Sequence, residues 1–157
     1  MTKWFKDYIF VFLVSMLPII ELRGAVPLGI GRGLPFFPTY LVAAVGNMIP
    51  VPFILMLVKP VLMFMQKIKI FNKIATFFLE KGQKAGAKFG DAKYWALYLF
   101  VAIPMPGTGA WTGSLAAALL DLDKGKSLMA VLRGVLTAGI IMGIASYGVL
   151  GAIGMIF

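Results

Sequence analysis

The sequence predicts an all-α membrane protein: a polytopic helical chain with two re-entrant helical hairpins in inverted-topology repeats. Three observations lead there. The chain of 157 residues is 61% hydrophobic, with a mean hydropathy of +0.93, where soluble domains are about 45–50% apolar. Two glycine- and proline-rich strings, Glu-Leu-Arg-Gly-Ala-Val-Pro at 21–27 and Pro-Met-Pro-Gly-Thr-Gly-Ala-Trp-Thr-Gly at 104–113, each interrupt an apolar run too short to cross a bilayer. Backbone at membrane depth must find its hydrogen bonds inside protein or in a wet cavity, so broken segments of this kind line binding sites. Finally, both halves follow one order of parts: short arm, broken string, short arm, full span.

The elements follow in chain order. Tyr8 to Ile20 is apolar and covers roughly 20 Å as a helix, short of a hydrocarbon core of about 30 Å. Its lysines, Lys3 and Lys6, suggest a signal peptide, but Pro18, Glu21 and Arg23 follow in place of a small-residue cleavage site, so the segment reads as retained. Gly24 to Gly33 carries Pro27 and favours turns and close backbone approach over a continuous helix. Phe36 to Val58 is long enough to span, with a kink expected near Asn47, Pro50 and Pro52. Lys59-Pro60 ends or bends it. Phe64, Ile68, Phe71, Ala75 and Phe78 then recur at three- and four-residue spacing, the stripe of an amphipathic helix on the membrane surface. Gly82 to Gly90 reads as a flexible basic loop.

The second half opens on Tyr94 to Ile103, a short arm whose Tyr94, Trp95 and Tyr98 suit an interfacial aromatic belt. The 104–113 string follows, then the arm Ser114 to Leu120, a polar return at 121–126, and a last span from Leu128 to Phe157. The chain divides into a first repeat at 1–58, an amphipathic and basic segment at 59–93, and a second repeat at 94–157. Pro18 leads to Gly24-Ala25 as Pro104 leads to Gly109-Ala110.

Charge sets the orientation. Seven lysines between Lys67 and Lys93 face only Glu80 and Asp91. Set between membrane segments, they place the loop at 66–93 in the cytoplasm by the positive-inside rule, beside anionic headgroups and not on nucleic acid. The first hairpin then dips from outside and the second from inside, the plan of many secondary transporters. Lys3, Lys6 and Arg32 count against this orientation, since they fall outside.

The chain has no cysteine and no histidine. Disulfides, thiolate chemistry and imidazole proton shuttles are excluded, and no constellation supports an enzyme, a cofactor or a structural metal. The candidate site residues are those of the strings. A lone charge in a membrane costs about 2.5–3.5 kcal/mol on insertion scales, so Glu21 reads as a proton or cation site and Arg23 as an anion site, or else as an exposed interfacial pair. On a continuous helix the two point apart; they converge only if the helix unwinds at Glu21. Gly24 and Pro27 shape that string. In the second, Pro104, Pro106, Gly107, Thr108, Gly109, Trp111, Thr112 and Gly113 offer free amides at a helix start, which attract an anion. Close packing through small residues is the other reading. The P-loop ending Lys-Ser/Thr is missing. Arg133 snorkels to the interface or turns inward to an anionic ligand or Glu21. Asn47 reads as a structural hydrogen-bonding residue and joins the candidate set as the one amide of its span. The glycines from Gly134 to Gly154, with Gly139 and Gly143 at small-xxx-small spacing, suit helix packing.

Pro18-Ile-Ile-Glu-Leu-Arg-Gly-Ala-Val-Pro-Leu-Gly29 and Pro104–Gly113 resemble the two signature segments of the small multidrug export protein family, itself related to the DedA/VTT membrane proteins. The resemblance covers nearly the whole chain. It implies two re-entrant hairpins in inverted repeats. DedA relatives are associated with proton-coupled transport and with moving undecaprenyl phosphate across the membrane, and other relatives scramble phospholipids. The family's essential acid falls on Glu21, and its essential arginines on Arg23 and, more loosely, Arg133; the DedA arginine motif is not reproduced in the second half. The expected function is ion- or proton-coupled transport of a small-molecule or lipid substrate with an anionic group. The alternatives are flipping or scrambling of an anionic lipid, and a structural membrane protein without transport. Few full spans leave little wall around a cavity, so a homodimer in the cell membrane, among membrane lipids, is expected.

Overall fold

The computed structural model describes residues 2–156, and every regular element in them is helical. Met1 and Phe157, the outer bounds of the two expected repeats, lie outside the described residues. Eight helices follow in order: α1 Thr2–Ser15, α2 Glu21–Gly31, α3 Phe36–Met48, α4 Pro50–Gln66, α5 Asn72–Lys88, α6 Ala92–Ala102, α7 Ala110–Leu119 and α8 Lys124–Ile156. α3 and α4 run on through Ile49 as one apolar rod, Phe36–Gln66, broken only where Pro50 and Pro52 withhold their amides. This rod and Lys124–Gly154 of α8 are long and apolar enough to cross a membrane, with mean hydropathies of 2.2 and 2.0. Phe37, Leu41, Phe53, Met56, Ile140 and Ile144 stand exposed along them. An outer surface this apolar suits lipid and not water.

Packing divides the chain into two matching groups. α1 and α2 pack on each other and on α3, while α6 and α7 pack on each other and on α8. The groups lock by exchange: α2 also lies on α8, and α7 on α4. The core between them holds Leu22, Val26, Val51, Val101, Ala110, Val131 and Val135.

Local details recur at a fixed separation. After α2, Gly33 N–H bonds Ile30 O and Leu34 N–H bonds Gly29 O; after α7, Asp121 N–H bonds Ala118 O and Leu122 N–H bonds Ala117 O. Both are Schellman closures, and both put the turning residue at positive φ, 83° for Gly33 and 52° for Asp121. On the long rods, Gly46 lies against Phe12 and Ser15 of α1, and Gly134 against Tyr98 and Val101 of α6. Gly33 and Asp121, like Gly46 and Gly134, lie 88 positions apart.

Four expectations about local structure need correction. The Gly24–Gly33 string is helical up to Gly31 as part of α2, and only 32–33 turn, because tertiary packing outweighs its poor propensity: Gly29 lets Thr39 and Val11 approach its backbone directly. Lys59-Pro60 does not end the span, since α4 continues to Gln66. The stripe from Phe64 to Phe78 is not one helix; turns at 67–71 divide it between α4 and α5. Gly82 to Gly90 is not a loop, because α5 carries on to Lys88. Near the expected kink, the helix is interrupted at Ile49, which itself keeps helical angles.

Candidate functional site

The two short-arm tips meet each other. α1 ends at Ser15, the chain turns through 16–20, and Glu21 opens α2 with φ at 51°. The left-handed region costs a non-glycine residue about 1–2 kcal/mol. It unwinds the helix at Glu21, and the freed carboxylate goes to the amides of α7 without forming the expected pair with Arg23. Opposite, α6 ends at Ala102, and the chain runs from Ile103 through two positive-φ glycines, Gly107 at 81° and Gly109 at 138°, into α7.

Glu21 is buried, 3% exposed. Its carboxylate accepts one hydrogen bond from Ala110 N–H at 3.1 Å and another from Trp111 N–H at 3.0 Å. These are the first amides of α7, where the helix dipole is positive. The anion at this helix start is therefore the protein's own carboxylate. Gly109 makes room for it, since a Cβ there would collide with the Glu21 carboxyl group.

Arg23 does the converse. Its Nη1 donates to Met105 O at 2.8 Å, Thr108 O at 2.9 Å and Thr108 Oγ1 at 2.6 Å. Its Nη2 donates to Val101 O at 2.8 Å and Ile103 O at 3.0 Å. Val101 O and Ile103 O lie at the end of α6, the negative end of that helix, and Met105 and Thr108 belong to the string that follows it. Trp111 closes the set in the other direction, its Nε1–H donating to Met16 O at 3.0 Å. Bonds to charged groups contribute about 1.5–3 kcal/mol each, so the tips form a firm cross-latch. No ion pair joins Glu21 to Arg23 among the described residues.

The remaining candidates spread outward from the latch. Thr108 is half-buried and belongs to it. Pro104, Pro106, Gly107 and Thr112 are exposed around it. Gly113 packs its backbone on Val101, and a Cβ on Gly24 would meet only Ile20. Pro27 sits inside α2, facing α8. Asn47 is buried on α3, with Oδ1 unpartnered among the described residues. Arg133 is brought neither to Glu21 nor to the latch; it lies exposed in a cleft between α6 and α8 with Tyr94, Trp95 and Tyr98. Sequence reasoning missed the carbonyls of Met16, Val101, Ile103 and Met105. Backbone acceptors leave no residue signature beyond their place before a proline-rich string. Among the described residues, no three acidic side chains converge to hold a metal.

Two grooves lie along the helices that leave the latch. One, of about 670 Å³, lies between α4 and α7 and is walled by Phe53, Leu57, Val61, Trp111 and Leu115. The other, of about 280 Å³, lies between α2 and α8. Every residue lining the smaller groove is 88 positions from one lining the larger. Pro27 stands to Leu115 as Gly31 to Leu119, and Met142 to Ile54 as Val149 to Val61.

A family model described as "Putative small multi-drug export protein" matches residues 21–141, from Glu21 through both strings and well into α8. The chain belongs to that family. No curated protein and no solved structure matches it.

Proposed function

We propose that this member of the small multi-drug export protein family is an ion- or proton-coupled transporter. In this reading it is built as two inverted-topology repeats whose re-entrant hairpins meet near the bilayer midplane. The observation that carries the reading is the residue-for-residue correspondence of the two grooves. In an inverted repeat, equivalent grooves open toward opposite membrane faces, and one widens as the other narrows. Helix lengths agree: α1 and α2 reach roughly 21 and 16 Å, about half a bilayer, so tips that touch do so near its middle.

Glu21 carries the coupling proton or cation. As a carboxylate it satisfies two amide donors; protonated, it brings a third donor to them, and the latch loosens. Arg23 and the 107–113 amides then become available to an anionic substrate group, with the apolar body of the substrate in the α4–α7 groove. The apolar wall of that groove also favours the second reading, translocation of an anionic lipid, because it accepts an acyl chain. The basic segment 66–93 faces the cytoplasm, and the transporter works as a homodimer.

The absence of cysteine permits a direct test. Single cysteines at Gly24 and Thr112, equivalent positions on α2 and α7, are labelled with a membrane-impermeant thiol reagent in oriented vesicles. Labelling of position 24 from outside and 112 from inside is expected. Labelling of both from one side ends the inverted reading, and labelling from neither, in folded protein, ends the transport reading. In proteoliposomes loaded with a fluorescent amphipathic dye, Glu21→Gln is expected to abolish gradient-driven dye movement. Full activity in that variant removes the coupling role.

A further inference from the structure

We propose that the cleft between α6 and α8 is a binding site for an anionic phospholipid, with its phosphate held by Arg133 and Lys126. The cleft holds about 810 Å³ and is formed by Tyr94, Trp95 and Tyr98 on α6 and Lys126, Met129 and Arg133 on α8. Three separate observations point to this occupant.

The first is the state of the arginines. Arg23 is engaged by Val101, Ile103, Met105 and Thr108, and Arg32 pairs with Asp7 at 2.8 Å over the Phe10 ring. Arg133 is exposed, and its guanidinium makes no hydrogen bond or ion pair among the described residues. A free planar fork matches a phosphate bidentately. Lys126 lies two turns earlier on the same helical face, with Met129 between. Its ammonium stands 5.5 Å from the Tyr94 ring centroid, and its one carboxylate partner, Asp91, is 3.5 Å away and exposed. The cleft thus carries two cations against one solvated acid.

Depth is the second. No charged residue follows Arg133 in the chain. The rest of α8, from Gly134 to Ile156, extends for roughly 34 Å, enough for a hydrocarbon core of about 30 Å. Arg133 therefore lies at headgroup level, beside the aromatic residues that favour that level. Trp95 and Tyr98 meet edge to face at 5.9 Å, and Tyr98 Oη lies 3.1 Å from Thr137 Oγ1. This side of the cleft is a preformed wall, polar at its rim and apolar along α8 toward Leu136.

Asymmetry is the third. The positions equivalent to Arg133 and Tyr98 in the first half are Val45 and Phe10, and the Phe10 ring is covered by Arg32. The cationic and aromatic residues of this cleft are not repeated in the first half, so the repeat geometry does not demand them. The inference rests on the membrane setting and not on transport. Loss of either result leaves the other standing.

The test is native mass spectrometry of the full chain in a mixture of phosphatidylglycerol and phosphatidylcholine. The natural chain is expected to retain phosphatidylglycerol preferentially. Arg133→Ala is expected to lower that preference about fivefold. Arg133→Lys, which keeps charge without the fork, should fall between the two. Lys84→Ala, a distant lysine on α5, should leave the preference unchanged. An unchanged preference in Arg133→Ala overturns the site, as does an equal loss in Lys84→Ala, which would mean diffuse charge attraction. Should Arg133→Ala fail to fold, Trp95→Ala and Lys126→Ala probe the same cleft, and retention of full preference in both overturns it equally.

Discussion

Residues 16–34 and 104–122 share local features and differ in chemistry. Each turns from a short arm into a helix at a positive φ, Glu21 in one and Gly109 in the other, and each closes that helix with the same pair of bonds. The first tip brings the charges, Glu21 and Arg23. The second answers with bare backbone: two amides for the acid and three carbonyls, with Thr108, for the base. Even Arg23 and Trp111, at equivalent positions, do the same work with different groups, each donating to carbonyls at the end of the other half's first arm. The two tips divide acid, base and amide between them, and a latch needs such a division.

The sharpest way to break this comparison is at its centre. Glu21→Ala leaves two amide donors without their acceptor and should cost about 2–4 kcal/mol, read as a lower unfolding temperature in detergent. Gly109→Ala should cost about 2–3 kcal/mol from its φ and its collision with the carboxyl group. The double variant should cost clearly less than the two together, because the collision disappears with the carboxylate. Strict additivity would separate the two tips energetically and dismantle the latch.

Smaller effects test the equivalence of the halves. Gly46→Ala and Gly134→Ala each force a methyl against the neighbouring short arm, a contact of 2.6 Å with Phe12 O in one and with Val101 Cβ in the other. Each should cost about 1–3 kcal/mol by overpacking, and the two should agree within about 1 kcal/mol. A large effect at one and none at the other would show that the matched positions do not carry matched packing.

The least effect is expected where the halves differ most visibly and matter least. Asp121→Gly relieves a left-handed residue, a gain of about 1 kcal/mol, but gives up the exposed bond of 2.7 Å from Lys59, which contributes about 0–1 kcal/mol. The net change should lie within about 0.5 kcal/mol, while Gly33→Ala at the equivalent turn should cost about 1 kcal/mol. Equal losses at both would mean that Lys59 fastens α4 to α7 more strongly than an exposed pair should.

Much of this architecture is legible in the residues. Apolar run lengths separate Phe36–Val58 and the last span from the short arms, because helix rise is constant. The two glycine- and proline-rich strings mark both tips, since only such residues permit the backbone paths at Gly107 and Gly109. The expected pairing of Gly24 with Gly109 misses the register, however. The structure pairs Glu21 with Gly109, an acid with a glycine, and identity matching has no reason to align them. The helical state of 24–33 is equally hidden, because the packing of Gly29 on Thr39 and Val11 outweighs local propensity and local propensity is all that a single string reports.

By itself, then, the sequence determined the membrane-suited composition, the division into long apolar spans and short arms, and the residue types at the tips. These depend on local geometry and on transfer of side chains out of water. The tertiary structure alone decided that Glu21 meets the start of α7, that Arg23 meets the end of α6, and that the Arg133 guanidinium has no hydrogen-bond or ion-pair partner among the described residues. Those outcomes depend on which helix ends the packing brings together, and a helix end offers its amides and carbonyls whatever its side chains are.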